Sequence, residues 1–135
     1  MRSTTPLLCD TNVISELARP NPNRGVVAWA DTLTSITISV VTLEEIAYGV
    51  TWKPSPRIRA WFDDFVTTQC EVVPVSVEIA VRAGELRGEF ARRGVVRAQA
   101  DMLIAATAQV YGLAIVTRNV KDFEDCIVPL LNPFV

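Results

Sequence analysis

Short apolar runs alternate along this chain with stretches whose apolar residues recur every three or four positions. The runs fall at residues 7–9, 36–41, 72–75, 114–117 and 127–131. Each is the length of a buried strand and rich in Leu, Ile and Val. The last contains Pro129, which cannot donate to a ladder and so confines that strand to a sheet edge.

Between the runs the period changes. Ile58, Trp61, Phe62, Phe65 and Val66 follow helical spacing, and Ile79, Ala83, Leu86 and Phe90 form a second stripe. The stretch "RAQADMLIAATAQVYG" is apolar almost all round and closes on Gly112, a fitting helix C-cap. "TWKPSPR" at 51–57 reads as a loop within one domain. Strands alternating with helices predict an α/β fold of three layers, with a central parallel sheet of four to five strands covered on both faces. Neither an internal repeat nor a low-complexity segment interrupts the pattern.

Composition narrows the chemistry. A length of 135 residues, half of them hydrophobic, suits one domain over 1–135 with a core of its own. Three cysteines without a CxxC pair argue against a disulfide framework and for a reducing cytosol. The opening "MRSTTPLLCDT" has no apolar core of signal-peptide length. The uncharged run from Met102 to Thr117 falls short of a membrane span and reads as a core helix leading into a core strand. A soluble, cytoplasmic protein is expected. The chain has no histidine, which excludes Ser-His and Cys-His nucleophile pairs and histidine-ligated metal sites. A net charge of −2 argues against a general basic coat for nucleic acid, though not against a local patch.

The acids then stand out by position. In open parallel sheets, ligands bind beyond the carboxyl ends of the strands, where strand order reverses. Asp10 follows the first run directly, a costly place to hide a carboxylate. After the second run, "TLEEIAYGV" brings Glu44 and Glu45 into the first turn of a helix. Asp101 heads the apolar helix, and "TRNVKDF" after the fourth run brings Asn119 and Asp122. Each also has a purely structural reading. Thr42 and Glu45 have capping-box spacing, and Asp10 suits the cap of a first turn. Asp101 suits a helix N-terminus or an i,i+4 pair with Arg97, and Asp122 suits a turn. Their common placement after strand ends favours convergence.

Convergence has an electrostatic consequence. Two carboxylates about 5 Å apart repel by roughly 3 kcal/mol at an effective dielectric of about 20. Protons or a cation must relieve that. Oxygen ligands without sulfur or imidazole select a hard ion, Mg²⁺ or Mn²⁺, and such sites suit phosphate-ester chemistry.

The segments "LLCDTNVISEL", "ISVVTLEEIAYGV", "AQADMLIAATAQVYGLAIVTRNVKDF" and the tail "LLNPFV" together resemble the PIN-domain ribonucleases, most closely VapC/FitB-type toxins of toxin–antitoxin pairs. The resemblance spans nearly the whole chain and implies a PIN-like α/β/α fold. It implies metal-binding, catalytic roles for Asp10, Glu45, Asp101 and Asp122, with Glu44 at a variable position. Where the family often carries an aspartate this chain has Asn119, so Asp122 is taken as the fourth acid with Asn119 assisting. Thr117 and Asn12 are expected to add hydroxyl and amide contacts.

The implied activity is Mg²⁺- or Mn²⁺-dependent endoribonuclease cleavage by a metal-activated water, leaving a 5′-phosphate and a 3′-hydroxyl. Arg92, Arg93, Arg97 and Arg118 are candidates to grip the RNA backbone, against a structural reading as surface pairs such as Glu89 with Arg93. The resemblance also implies a cognate small antitoxin protein seated in a groove of the N-terminal half. With it come a homodimer and larger hetero-oligomers. Trp29, Trp52, Trp61, Phe62 and Phe65 supply apolar surface for core and groove. Two rival readings remain. One is an aspartate-nucleophile phosphatase or phosphoacceptor domain using Asp10, with Lys121 on phosphate. The other is a non-catalytic partner-binding module.

Overall fold

Helices cover both faces of a single parallel sheet in the computed structural model, which describes residues 6–135. In chain order the elements are β1 (Leu7–Cys9), α1 (Thr11–Leu17), α2 (Arg24–Ala30), β2 (Ile36–Ser39), α3 (Val40–Trp52), α4 (Pro56–Gln69), β3 (Cys70–Val73), α5 (Val77–Arg92), α6 (Gln99–Tyr111), β4 (Ala114–Val116), a 3-10 turn (Val120–Phe123) and β5 (Leu130–Leu131). The strand order is β3-β2-β1-β4-β5, and every pairing is parallel. Order therefore reverses between β1 and β4, which opens a crevice at their carboxyl ends.

Strand alternation splits the core in two. Leu8 and Ile115 point into a cluster with Ile79, Leu86, Phe90 and Met102, covered by α5 and α6. Cys9 and Val116, their neighbours, point the other way, into a cluster with Ile14, Ile38, Phe62 and Phe65 under α1, α3 and α4. The stripe on α5 is buried throughout, whereas on α4 Phe62 and Phe65 are buried and Ile58, Trp61 and Val66 are half-buried. Among the described residues no helix is long and apolar enough to cross a membrane.

Local chemistry sets the element ends. Ser39, Ser55 and Ser76 cap α3, α4 and α5 by accepting backbone N–H groups, and Asn23 caps α2. Gly112 closes α6 at φ 66, in the left-handed conformation that glycine adopts without penalty. Helix α6 opens on Ala98 and has no side-chain cap.

Several boundaries differ from the sequence expectation. The second strand stops at Ser39, because the Ser39 hydroxyl accepts the Val41 amide and turns Val40 and Val41 into helix. Thr42 is therefore inside α3 and buried, not a capping-box residue, and Glu44 and Glu45 lie one turn further in than expected. The loop expected over 51–57 shrinks to Lys53–Ser55 between α3 and α4. The third strand begins at Cys70 and ends at Val73, before Pro74. The fifth is two residues long and lies at the edge, as Pro129 required.

Candidate active site

Register brings the first two side chains together. Cys9 lies opposite Val116, so Asp10 and Thr117, one step on, leave β1 and β4 side by side. The Asp10 amide extends the ladder to the Val116 carbonyl at 2.9 Å. Asp10 then caps α1, its Oδ1 accepting the Thr11 amide at 2.8 Å. Its Oδ2 accepts the Thr117 hydroxyl at 2.8 Å and the Asn12 amide group at 3.1 Å. Asp10 is 5% exposed and Thr117 is fully buried. The structural and functional readings of Asp10 are thus compatible: the carboxylate caps a helix and still faces the crevice.

Asn12 and Thr117 extend the network. Asn12 Oδ1 accepts the Arg118 amide at 3.1 Å, and its Nδ2 also lies 3.3 Å from Thr117 Oγ1. Thr117 Oγ1 accepts the Asn119 amide at 3.0 Å. The segment leaving β4 is therefore tied to the segment leaving β1. Asn119 heads the 3-10 turn but makes no capping bond with its side chain. Asp122, in that turn, is exposed.

Glu45 approaches from α3. It accepts the Thr11 hydroxyl at 2.6 Å, and the Thr42 hydroxyl lies 3.1 Å from that same Thr11 oxygen. Glu44 is exposed, which separates the pair. Thr11 was not singled out by sequence reasoning, although its place between Asp10 and Asn12 in "DTN" was the available signal. Asp101 enters half-buried on the first turn of α6.

Asp10 and Asp101 feel the charges of the other acids. Burial lifts the Asp10 carboxyl above the ordinary aspartate range, its bonds from Thr117 and Thr11 pull it down, and the charges of Glu45 and Asp122 push it up again. Asp101 is pushed up to about 6, first by burial, then by Asp10, Asp122 and Glu45, with Arg97 opposing. This mutual field is what a shared cation relieves, and the donor set is all oxygen. Among the described residues, no three acids or cysteines stand close enough together to grip an ion as they are. The match to a hard cation lies in donor type and charge, not in resting distances.

The arginines divide. Arg97 donates to the Lys121 and Asp122 carbonyls at 3.2 and 2.6 Å and lies over the Phe90 ring at 4.3 Å. It ties the α5–α6 loop to the turn carrying Asp122 instead of pairing with Asp101. Arg93 stacks on Phe90 at 4.7 Å. The expected Glu89–Arg93 pair is absent among the described residues, and Glu89 meets Arg82 at 3.4 Å. Arg92 is exposed at the end of α5, and Arg118 lies over Phe134 at 4.9 Å.

Beside Glu45 and Thr11 opens a groove of about 270 Å³ between α1, α3 and α4. Ile14, Ala18, Val50, Ile58 and Trp61 line it. Trp61 is held there by stacking on Phe65, with centroids 4.7 Å apart. Trp52, by contrast, is 77% exposed on α3 and belongs to no core.

Comparison with known proteins agrees with this architecture. The PIN domain family model matches residues 7–126. Toxin FitB of Neisseria gonorrhoeae is 31% identical over 136 residues, covering 95% of this chain and 98% of the relative. VapC ribonuclease Y4jK of Sinorhizobium fredii is 29% identical over 136 residues, with 95% and 97% covered. The crystal structure of FitAcB from Neisseria gonorrhoeae superposes with a TM-score of 0.81 at 31% identity, over 94% of this chain and 97% of that one. A toxin-antitoxin complex from Klebsiella pneumoniae follows at 0.74 and 26%, with 95% and 98% covered. A parallel sheet in this order, the Asp10–Thr117–Asn12 network at its reversal point and a match over most of the length lead to one assignment: the chain belongs to the PIN-domain family.

Proposed function

We propose that this chain, a single PIN domain over residues 1–135, is a divalent-metal-dependent endoribonuclease and the toxin of a toxin–antitoxin pair. The observation that carries the reading is Asp10, fixed by Thr117 and Asn12 where strand order reverses, together with Asp101 at the head of α6, which is pushed up first by burial and then by the charges of Asp10, Asp122 and Glu45. Relatives named as a ribonuclease and as a toxin support it.

Asp10, Glu45, Asp101 and Asp122 are the residues to hold Mg²⁺ or Mn²⁺, with Asn119 available as a neutral oxygen donor. A hard ion so bound supplies Lewis acidity for water and for the phosphodiester. Thr117 and Asn12 fix the Asp10 carboxylate in one orientation, and Thr11 does the same for Glu45. Arg92, Arg93 and Arg118 lie exposed for contact with RNA phosphate, while Arg97 serves the Asp122 turn. The apolar groove suits a helix of a small antitoxin protein, within a hetero-oligomer built on a toxin homodimer. Both Asp10 oxygens are occupied by donors, which suits an oriented ligand and disfavours the aspartyl-phosphate alternative.

The test is cleavage of a structured RNA by purified protein in Mg²⁺ or Mn²⁺ and in EDTA, with wild type beside Asp10→Asn. Cleavage should need the metal and vanish in the variant, while Asn keeps the α1 cap. Equal cutting by the two proteins, or cutting in EDTA, overturns the reading.

A further inference from the structure

The segment 132–135 runs past the end of the sheet that carries the acids, and no role described above uses it. It is fastened firmly. Asn23 accepts the Val135 amide at 3.2 Å and donates to the Val135 carbonyl at 2.9 Å. Asn132 Oδ1 accepts the Phe134 amide at 3.0 Å. Pro133 is buried, and its carbonyl comes so near Gly25 that a side chain there has no room. Tail and helix α2 therefore meet backbone to backbone.

These fastenings set Phe134 against the apolar cluster of the α1–α4 face, with the Arg118 guanidinium over its ring at 4.9 Å. Arg118 directly follows Thr117, and its amide is bonded to Asn12, so its backbone is part of the acid network. Its side chain is exposed and joins no salt bridge among the described residues. A guanidinium stacked by its face keeps all its N–H donors free at its edges, and those edges match a phosphate.

We propose that Phe134 is a positioning residue that holds Arg118 beside the acid crevice, so that its N–H edges meet the phosphate backbone of the RNA strand. The inference rests on the nuclease reading above. An arginine ordered before substrate arrives loses less side-chain entropy on binding than a free one. The tail acts as a strap: it fixes the ring, and the ring fixes the cation. Leucine at 134 fills similar apolar space but offers no π face, whereas tyrosine keeps the face.

Steady-state cleavage of an RNA hairpin in Mg²⁺ tests this with wild type, Phe134→Leu, Phe134→Tyr, Arg118→Ala and the Phe134→Leu/Arg118→Ala double variant. Phe134→Leu should raise KM about fivefold at unchanged kcat, the size expected when one arginine side chain must be ordered on binding instead of beforehand. Phe134→Tyr should restore KM. The double variant should match Arg118→Ala alone. A wild-type KM for Phe134→Leu overturns the proposal, as does an equal further rise in the Arg118→Ala background. Arg118→Ala lies on the surface and decides the matter if Phe134→Leu fails to fold, since an unchanged KM there overturns the proposal too. Wild type that cuts no RNA in Mg²⁺ or Mn²⁺ overturns the nuclease reading and this inference together, whereas cutting with a KM indifferent to these changes overturns only this one.

Discussion

Thr117 gives its hydroxyl hydrogen to Asp10 Oδ2 at 2.8 Å, joining positions 107 residues apart. The contact follows from the pairing of Cys9 with Val116 in a parallel ladder, which delivers the next residue of each strand to one point. Thr117→Val keeps the shape and removes the hydroxyl. It strips Asp10 of one bond and leaves the Asn119 amide without its acceptor. Urea denaturation should show a loss of about 1–3 kcal/mol, the range for buried groups left unpaired. The Asp10 carboxyl should also titrate higher, because that bond holds it down.

Protonation of Asp101 should make the metal-free protein more stable in mild acid than this residue allows at neutral pH. The folded chain holds the proton to about pH 6, whereas the ordinary value is 3.8. Between those values the folded state binds more protons than the unfolded one, so stability falls as pH rises through the window. Denaturation in EDTA across that range should show a steeper fall for wild type than for Asp101→Asn. Identical slopes would count against the burial and repulsion described at the crevice.

Arg97→Met removes both bonds to the Lys121 and Asp122 carbonyls and the guanidinium that lies over Phe90. A global cost of about 1 kcal/mol is expected for partly exposed bonds of this kind. The sharper readout is amide exchange, which should quicken over residues 120–124 and little elsewhere. Asp101 should titrate higher still, having lost the Arg97 charge that opposes its shift.

Gly25→Ala should loosen the tail. The added methyl collides with the Pro133 carbonyl and with Val135, so either α2 or the tail must move. A loss of about 1–3 kcal/mol is expected, as for an overpacked core position. Gly49 has open space around it, so Gly49→Ala serves as the control and should be neutral or stabilising in its helix.

The strands and the long helices were legible because burial writes itself into spacing. Leu8, Ile115 and the stripes on α4 and α5 carry periods that survive any choice of neighbour. The β2–α3 junction was not, because Val40 and Val41 fit a strand as well as a helix, and one serine hydroxyl decided between them. Helices α1 and α2, seven residues each, are too short for a period to show. Asp10 at a strand end and Asp101 at a helix head lie in the elements their spacing indicated, because such ends fix where a short side chain starts. Long side chains escaped this logic. Arg97 and Glu89 chose partners 25 and 7 positions away, and the acidic or basic residue four places off was left unused.

The wall formed by Thr11 and Glu45 belongs to both the apolar groove and the acid crevice. Evolutionary drift is therefore not equally free across this surface. On the function proposed above, changes at Ile14, Ala18 or Val50 would alter what the groove accepts and leave the Asp10–Thr117 pair intact. Changes at that shared wall would, on the same proposal, reach groove and crevice in a single step.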